Sequence, residues 1–156
     1  MSVGAPSTGR WRADGVRIIR SNELDAATAQ TLGMQRRAAV TTERTGATKL
    51  WAGTVTIDAH AKTGAHHHGD LESVIYVLSG LARMRWGDRL EFIAEAQAGD
   101  FIYVPPFVPH QEINASDDLQ LHCVLARSGQ TGLVVNLDIE IAESPEFIRW
   151  IDDLHK

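Results

Sequence analysis

Two stretches of sequence decide the fold of this chain: Gly-Ala-His-His-His-Gly-Asp-Leu-Glu at residues 64–72 and Gly-Asp-Phe-Ile-Tyr-Val-Pro-Pro-Phe-Val-Pro-His at residues 99–110. A histidine run beside glycine is by itself typical of a solvated loop, and a proline-rich segment is typical of a tight turn. The second stretch also ends in a histidine, His110, whose loop is restricted by the fixed φ angles of the preceding prolines. Two such segments in one chain favour a metal site over two unrelated loops.

The histidines and one acidic residue are predicted to bind a single metal ion. Side chains of an extended segment alternate between its two faces, so His66 and His68 share a face while His67 points away from it. His110 supplies a third imidazole from a different strand, and Glu72 supplies a carboxylate oxygen. This donor set suits first-row divalent ions such as iron, manganese, nickel or zinc.

The composition limits the classes of protein to which the chain can belong. With 156 residues, 44% of them hydrophobic, it is long enough to bury the core of one domain. Its net charge of -5 and its scattered basic residues argue against binding to nucleic acid or to an anionic membrane surface. Cys123 is the only cysteine, so no intramolecular disulfide is expected, and the sequence shows neither a secretory signal nor a membrane-spanning apolar run. We expect a cytoplasmic protein.

Beyond residue 37 the chain is predicted to form short β-strands. Segments rich in β-branched, leucine and aromatic residues recur between turn signals such as Ser79-Gly80, a spacing typical of an all-β sandwich or barrel. In the segment 50–57, Trp51, Val55 and Ile57 share the face that should meet the core. The predicted strands cover residues 37–42, 50–57, 73–79, 81–86, 90–94, 101–104, 119–127 and 133–139.

Short helices are predicted to flank this β domain. The alanine-rich segment 24–32 fits a short helix that ends at Gly33. Ser144 is a suitable N-cap, and Pro145 a suitable first residue, for a C-terminal helix with an apolar stripe. The expected organisation is a flexible N-terminal arm at 1–15, a β domain at 16–142 and a helix at 143–156.

The two stretches resemble the paired motifs of the cupin superfamily. The first cupin motif contains His-x-His, a glutamate three or four residues later and then a glycine, matched here by His66, His68, Glu72 and Gly80. The second contains glycine, proline, histidine and asparagine at fixed spacings, all matched here by Gly99, Pro105, His110 and Asn114. The resemblance implies a single RmlC-like jelly-roll β-barrel that holds one metal ion. It also implies a homodimer, since cupins are commonly dimeric.

Two departures from the cupin motifs concern the site. Glu72 and Gly80 enclose seven residues where cupins normally have six, so Ser73 occupies the position of the acidic ligand. Either a bulge re-aims Glu72 or the site has only three protein ligands, and we predict the bulge. Phe107 replaces the usual glycine of the second motif and is expected to cap the barrel mouth.

Further polar residues are candidates for contact with a substrate. His122 lies on a predicted strand and is either a base that lines the cavity or a hydrogen-bonded histidine of the core or surface. Arg83 and Arg85 alternate with apolar neighbours, so they either clamp a carboxylate or phosphate or form the solvated side of a strand. The predicted substrate-binding residues are Tyr76, Tyr103, Gln111 and His122.

The expected function is metal-assisted chemistry on a small oxygen-bearing metabolite. In an isomerase or epimerase the ion would polarise a carbonyl, and in an iron-dependent oxygenase it would bind the substrate and dioxygen. The alternative is a non-catalytic module that binds a small molecule or senses metal. The fold does not choose among these three, and the expected partner is a small-molecule ligand or substrate.

Overall fold

The structure is a computed structural model that describes residues 15–130 and 132–155. Its regular structure is mainly β, as the sequence predicts. A short helix, α1 (Thr42–Thr45), follows the first strand and is capped by the Thr41 hydroxyl, which accepts a hydrogen bond from the Arg44 amide. The strands of the described residues are β1 (Met34–Val40), β2 (Leu50–Ile57), β3 (His66–His67), β4 (Ser73–Ser79), β5 (Leu81–Trp86), β6 (Phe92–Gln97), β7 (Phe101–Val104), β8 (His110–Asn114), β9 (Leu121–Ser128), β10 (Val135–Asn136) and β11 (Arg149–Trp150).

These strands form two sheets in the arrangement of a jelly roll, which confirms the predicted fold class. The five-stranded sheet has the order β1-β2-β9-β4-β7, and the six-stranded sheet has the order β10-β3-β8-β5-β6-β11. Strand pairs are antiparallel except for β6 with β11, which are parallel. Neighbours such as β2 and β9 are far apart in sequence, so the sheets depend on long-range pairing.

The core is built from alternate residues of the strands. In β2 the side chains of Trp51, Val55 and Ile57 are buried, which confirms the predicted inner face. A one-residue slip of the strand would expose all three, so the burial of this face fixes the register. The main cluster of buried apolar residues contains Met34, Val55, Ile57, Ile75, Val77, Ala82, Ala96, Leu121 and Cys123.

Most predicted strands are present, although their bounds differ at the ends. The bounds of β2, β4, β5 and β7 are those predicted, while β1 starts earlier at Met34 and β6 starts later at Phe92. No bounds were predicted for β3 and β8, although the sequence analysis places His66 on an extended segment and His110 on a strand, and β11 was not predicted. The omission of β8 matters for function, because this strand begins at His110 and places the residues after it on defined faces.

The segment 24–32 does not form the predicted helix. Asp25 instead forms a β-bridge with Ala38 of β1, and the Gln30 side chain hydrogen-bonds to both backbone groups of Arg36. Partners on β1 satisfy part of this segment's hydrogen bonding, so the weak helical propensity of a short segment does not decide its structure.

The C-terminal segment also differs from the predicted single helix. A 3-10 turn at Pro145–Phe147 starts where Ser144 and Pro145 predict, but the chain then extends into β11 and ends in another 3-10 turn at Asp153–His155. The edge of β6 explains the difference, because the carbonyl of Ile93 in β6, and that of Glu91 just before it, accept hydrogen bonds from the amides of Ile151 and Arg149.

Of the predicted N-terminal arm, all residues before Gly15 lie outside the part of the chain that the structure describes. Among the described residues, no helix has the length and apolar character that crossing a bilayer requires.

Candidate metal centre

Three histidines from the two sequence motifs lie together in the structure. His66 on β3 is the cross-strand partner of His110 on β8, and His68 comes two residues after His66. The ring centroids of His66 and His110 are 4.4 Å apart, and that of His68 is 4.9 Å from His66 and 5.2 Å from His110. One nitrogen from each ring lies within 4.8 Å of the other two. The predicted convergence of these histidines is therefore present.

Backbone carbonyls orient all three rings in the same way. The Nδ1 atoms of His66, His68 and His110 lie 2.8, 2.8 and 2.9 Å from the carbonyl oxygens of Gly64, Leu133 and Val108. A carbonyl oxygen only accepts hydrogen bonds, so each Nδ1 must carry the proton. The lone pair of each ring is then on Nε2, which is the arrangement that metal-binding histidines use.

The burial of His110 also supports a metal ligand role for its Nε2 atom. Its Nε2 atom is buried and has no hydrogen-bond partner among the described residues, which is costly unless a ligand occupies that position. Burial lowers the pKa of His110 to about 4, although the charge of Glu112 and the hydrogen bond to Val108 oppose the shift. Burial also lowers the pKa of His68. Both imidazoles are thus neutral at pH 7, the form that binds a metal ion.

Glu72 does not join the histidines, which corrects the predicted four-ligand set. Its side chain is exposed, whereas that of Ser73 is buried and lines the cavity next to His66 and His68. Ser73 is the first residue of β4 and lies on its inner face, whereas Glu72 precedes the strand and is exposed. The irregularity of β4 lies between Val77 and Ser79, at the opposite end of the strand, so it does not re-aim Glu72.

Another carboxylate, that of Glu112, faces the histidines. It follows His110 by two residues on β8 and therefore shares its face. Its half-buried side chain lines the same cavity as His66 and His68, and its negative charge acts on both His68 and His110. The sequence analysis missed Glu112 because it did not predict β8, although a strand starting at His110 would have indicated it.

His66 and His68 border a cavity of about 290 Å³. Two arginines that the sequence analysis did not single out, Arg36 on β1 and Arg127 on β9, also line it. A second, largely apolar cavity of about 420 Å³ reaches His110 from the side of β5, β6 and β7. Cavities of this size fit small metabolites.

The four predicted substrate-binding residues do not line the cavity that His66 and His68 share with the two arginines. Gln111 is buried and donates a hydrogen bond to the Thr63 carbonyl. Tyr76 packs against Phe101, and Tyr103 lines only the second cavity. His122 is on the opposite face of β9 from the core, with its Nδ1 3.1 Å from the Thr56 hydroxyl. Of the two roles given above for His122, the structure therefore shows the hydrogen-bonded histidine, on the outer face of the sheet.

Arg83 and Arg85 hold neighbouring segments in place and do not form a substrate clamp. The Arg85 guanidinium donates to the carbonyls of Leu90 and Ala142, and that of Arg83 pairs with Glu95 at 3.2 Å. Both side chains project from the outer face of β5, because Ala82 and Met84 occupy the inner one.

Comparison with known proteins agrees with this geometry. A family model described as a cupin domain matches residues 53–126, which include both histidine motifs. Residues 53–126 are therefore a cupin domain. No curated protein matches its sequence.

Solved cupin-fold structures resemble this cupin at low sequence identity. KdgF from Halomonas sp. is 18% identical, with 75% of this chain and 96% of that chain covered and a TM-score of 0.59. The polyketide cyclase RemF from Streptomyces resistomycificus is 17% identical, with coverages of 80% and 87% and a TM-score of 0.67. A mutant of the oxalate decarboxylase OxdC from Bacillus subtilis is 24% identical, with coverages of 70% and 29% and a TM-score of 0.58. Likeness at this level supports the fold and does not transfer a reaction.

Proposed function

We propose that this cupin is a metal-dependent enzyme that acts on a small oxygen-bearing metabolite. The proposal is carried by the convergence of three histidines whose Nε2 atoms are left free by the hydrogen bonds of Nδ1. His66, His68 and His110 would hold an iron, manganese, nickel or zinc ion through these atoms. Such an ion supplies Lewis acid chemistry, which polarises a carbonyl or hydroxyl oxygen of the substrate.

The donor set favours an isomerase or epimerase over an oxygenase. Non-haem iron oxygenases typically use two histidines and a carboxylate. Here Glu72 is exposed and Glu112 is not part of the histidine cluster, so the three ligands are neutral imidazoles. Neutral ligands leave the positive charge of the ion undiminished, and this strengthens its pull on a substrate oxygen.

Glu112 is the residue that we assign to proton transfer. It lies on the same face of β8 as His110 and lines the cavity, so it can reach a carbon or hydroxyl next to the polarised oxygen. Among the described residues, no basic group lies within 4.0 Å of its carboxylate, which is thus available to accept a proton and return it.

Elemental analysis tests the metal site. Protein purified without an affinity tag or chelator should contain about one transition-metal ion per chain, and His110→Ala should lose most of it because one of three ligands is missing. His67→Ala is the matched control: it removes a ring from the same histidine run, but that ring lies beside Phe107 and accepts the Gly69 amide. Equal metal content in His110→Ala and the wild type would contradict the proposal.

The reaction class requires a separate measurement. Metal-loaded protein should catalyse solvent deuterium incorporation into one member of a panel of small hydroxy acids, keto acids and sugars, without oxygen. Glu112→Gln should slow this exchange by roughly 10²- to 10⁴-fold while its metal content is unchanged. Oxygen uptake that requires Fe(II) would support the oxygenase instead, and ligand binding without turnover would support a non-catalytic module.

We also propose a homodimer and a cytoplasmic location. The homodimer is supported by the resemblance to cupins, and the location by the single cysteine, Cys123, since a chain with one cysteine forms no intramolecular disulfide that an oxidising compartment would favour. Light scattering of the purified protein measures the first directly, and a monomer would contradict it.

A further inference from the structure

We propose that Arg36 and Arg127 form an anion-binding end of the cavity and that the substrate is a small carboxylic acid. The carboxylate would bind to the arginines, and a hydroxyl or carbonyl oxygen of the same molecule would face the three histidines. This inference rests on the proposed function for the histidine end of the substrate, and it adds the chemical class of the molecule and the residues that select it.

Both arginines are on inner faces of the same sheet. Arg127 is in register with Trp51 of β2 and with Ser73 of β4, and Ser73 lines the cavity beside the histidines. Arg36 projects from the buried face of β1, where Met34 and Ala38 are its neighbours on the same side. Each side chain is half-buried and lines the 290 Å³ cavity.

Neither guanidinium is neutralised by the protein. Among the described residues, no carboxylate lies within 4.0 Å of Arg36 or Arg127. The Arg127 guanidinium lies 4.5 Å from the centre of the Trp51 ring, and its Nε is buried without a hydrogen-bond partner in the described part of the chain. Arg36 donates to the Thr31 hydroxyl and, at 3.9 Å, to the Met34 sulfur, which is a weak acceptor.

The charges of the cavity favour an anion. Two cationic side chains, Arg36 and Arg127, line this cavity, whereas Glu112 is the one carboxylate among the described residues that line it. Burial, and after it the charge of Arg36, lowers the pKa of Arg127, so the two cations disfavour each other. This positive site exists in a chain whose net charge is -5. A negatively charged ligand between the arginines would relieve the repulsion and pair the unpartnered Nε.

A carboxylate fits this end of the cavity better than a larger anion. Stacking on Trp51 holds the Arg127 guanidinium in a fixed plane, and planar guanidinium groups bind carboxylates through two parallel hydrogen bonds. The volume of about 290 Å³ is at the lower limit for ligand pockets, which indicates a metabolite of few heavy atoms.

Glycolate and its neutral analogue glycolamide test the proposal by isothermal titration calorimetry on purified protein of measured metal content. The wild type should bind glycolate at least about tenfold more tightly than glycolamide. Arg127→Gln and Arg36→Gln should each weaken glycolate binding by about tenfold or more and leave glycolamide binding and metal content unchanged. Arg127→Lys, which keeps the charge but not the planar fork, should recover part of the loss.

Arg37→Gln is the matched control, because Arg37 is the next residue on β1 and is exposed on the opposite face. It removes the same charge from the chain and should leave glycolate affinity unchanged. If Arg36→Gln and Arg127→Gln have normal metal content and bind glycolate like the wild type, the inference is overturned and the proposed function stands. If protein without metal binds glycolate and this binding depends on the arginines, the proposed function is overturned and the inference stands. Tighter binding of inorganic phosphate than of glycolate would overturn the assignment of a carboxylic acid.

Discussion

At the scale of single residues, Phe107 in the turn of the second motif has a backbone conformation that is strained for a residue other than glycine. Phe107 has a φ of +60°, in the left-handed region where cupins usually have glycine. Its ring is exposed and lies 5.9 Å from that of His67. Phe107 is not among the residues that line the two cavities described above, so its expected role of capping the barrel mouth stays a prediction.

The strain at Phe107 can be measured with two variants that both remove the ring. Phe107→Gly should be more stable than Phe107→Ala by about 1 kcal/mol, because only glycine adopts this φ without a steric penalty. Urea denaturation of the two variants gives the difference in the free energy of unfolding. Equal stabilities would show that the turn relaxes and that no strain is stored there.

The outward direction of Glu72 gives a second prediction at this scale. Glu72→Gln should leave metal content and metal affinity within about twofold of the wild type. The Glu72 side chain is exposed, just before β4, and is not expected to contact the ion. Competition with a chromogenic chelator measures the affinity. A loss of about tenfold or more, as expected for removal of a ligand or its close support, would restore Glu72 to the site.

At the scale of secondary structure, alternation along strands explains which site residues could be predicted. His66 and His68 were found because their spacing of two is readable in any extended segment. The same rule applied to the predicted strand 73–79 places Ser73 with Ile75 and Val77 on the core side, and it therefore excludes Glu72. Glu112 was missed because strand β8 was not predicted, and its face cannot be assigned without the strand.

The C-terminal segment is attached to β6 by a small polar cluster. The Glu95 carboxylate, which is 6% exposed, lies 3.2 Å from both Arg83 and the Nε2 of His155. Asp152 lies 2.7 Å from the other ring nitrogen of His155 and accepts the Glu95 amide. Burial opposes ionisation of Asp152, but these hydrogen bonds outweigh it and lower its pKa. The cluster holds β11 against the edge of β6.

Removal of the His155 ring should loosen this attachment. In His155→Ala the amides of Arg149 and Ile151, which donate to the carbonyls of Glu91 and Ile93, should exchange with solvent about tenfold faster, because the two carboxylates lose their shared donor. Hydrogen exchange read by mass spectrometry or NMR measures the effect. His60→Ala is the control, since His60 and its partner Asp117 are both exposed, and it should not change exchange in β11. Unchanged exchange in His155→Ala would mean that β11 is held by its backbone alone.

At the scale of the whole molecule, the free energy of unfolding is coupled to the protonation of the site. His110 in the folded protein has a pKa of about 4, while in the unfolded chain it has the ordinary value of about 6.5. Between these values the unfolded state binds more protons than the folded state, so stability rises with pH. Acidification from pH 6.5 to pH 4 should therefore destabilise the metal-free protein.

Thermal unfolding of metal-free protein at intervals of pH measures this dependence. His110→Gln is a suitable comparison, because it keeps a polar side chain of similar size but has no imidazole to protonate. Its melting temperature should fall less steeply between pH 6.5 and pH 4 than that of the wild type. Parallel curves for the two proteins would show that His110 does not carry the pH dependence.

What the sequence by itself determined is the all-β fold, most of the strands and the three histidines, because hydrophobic alternation and motif spacing act within single segments. What only the tertiary structure decided is the rest of the site. Arg36, Glu112 and Arg127 lie on three strands distant in sequence, and they share one cavity because long-range pairing puts β1, β2, β9 and β4 side by side and brings β8 against β3. Strand register and the packing of one sheet on another involve the whole chain, so no single segment specifies which polar side chains meet.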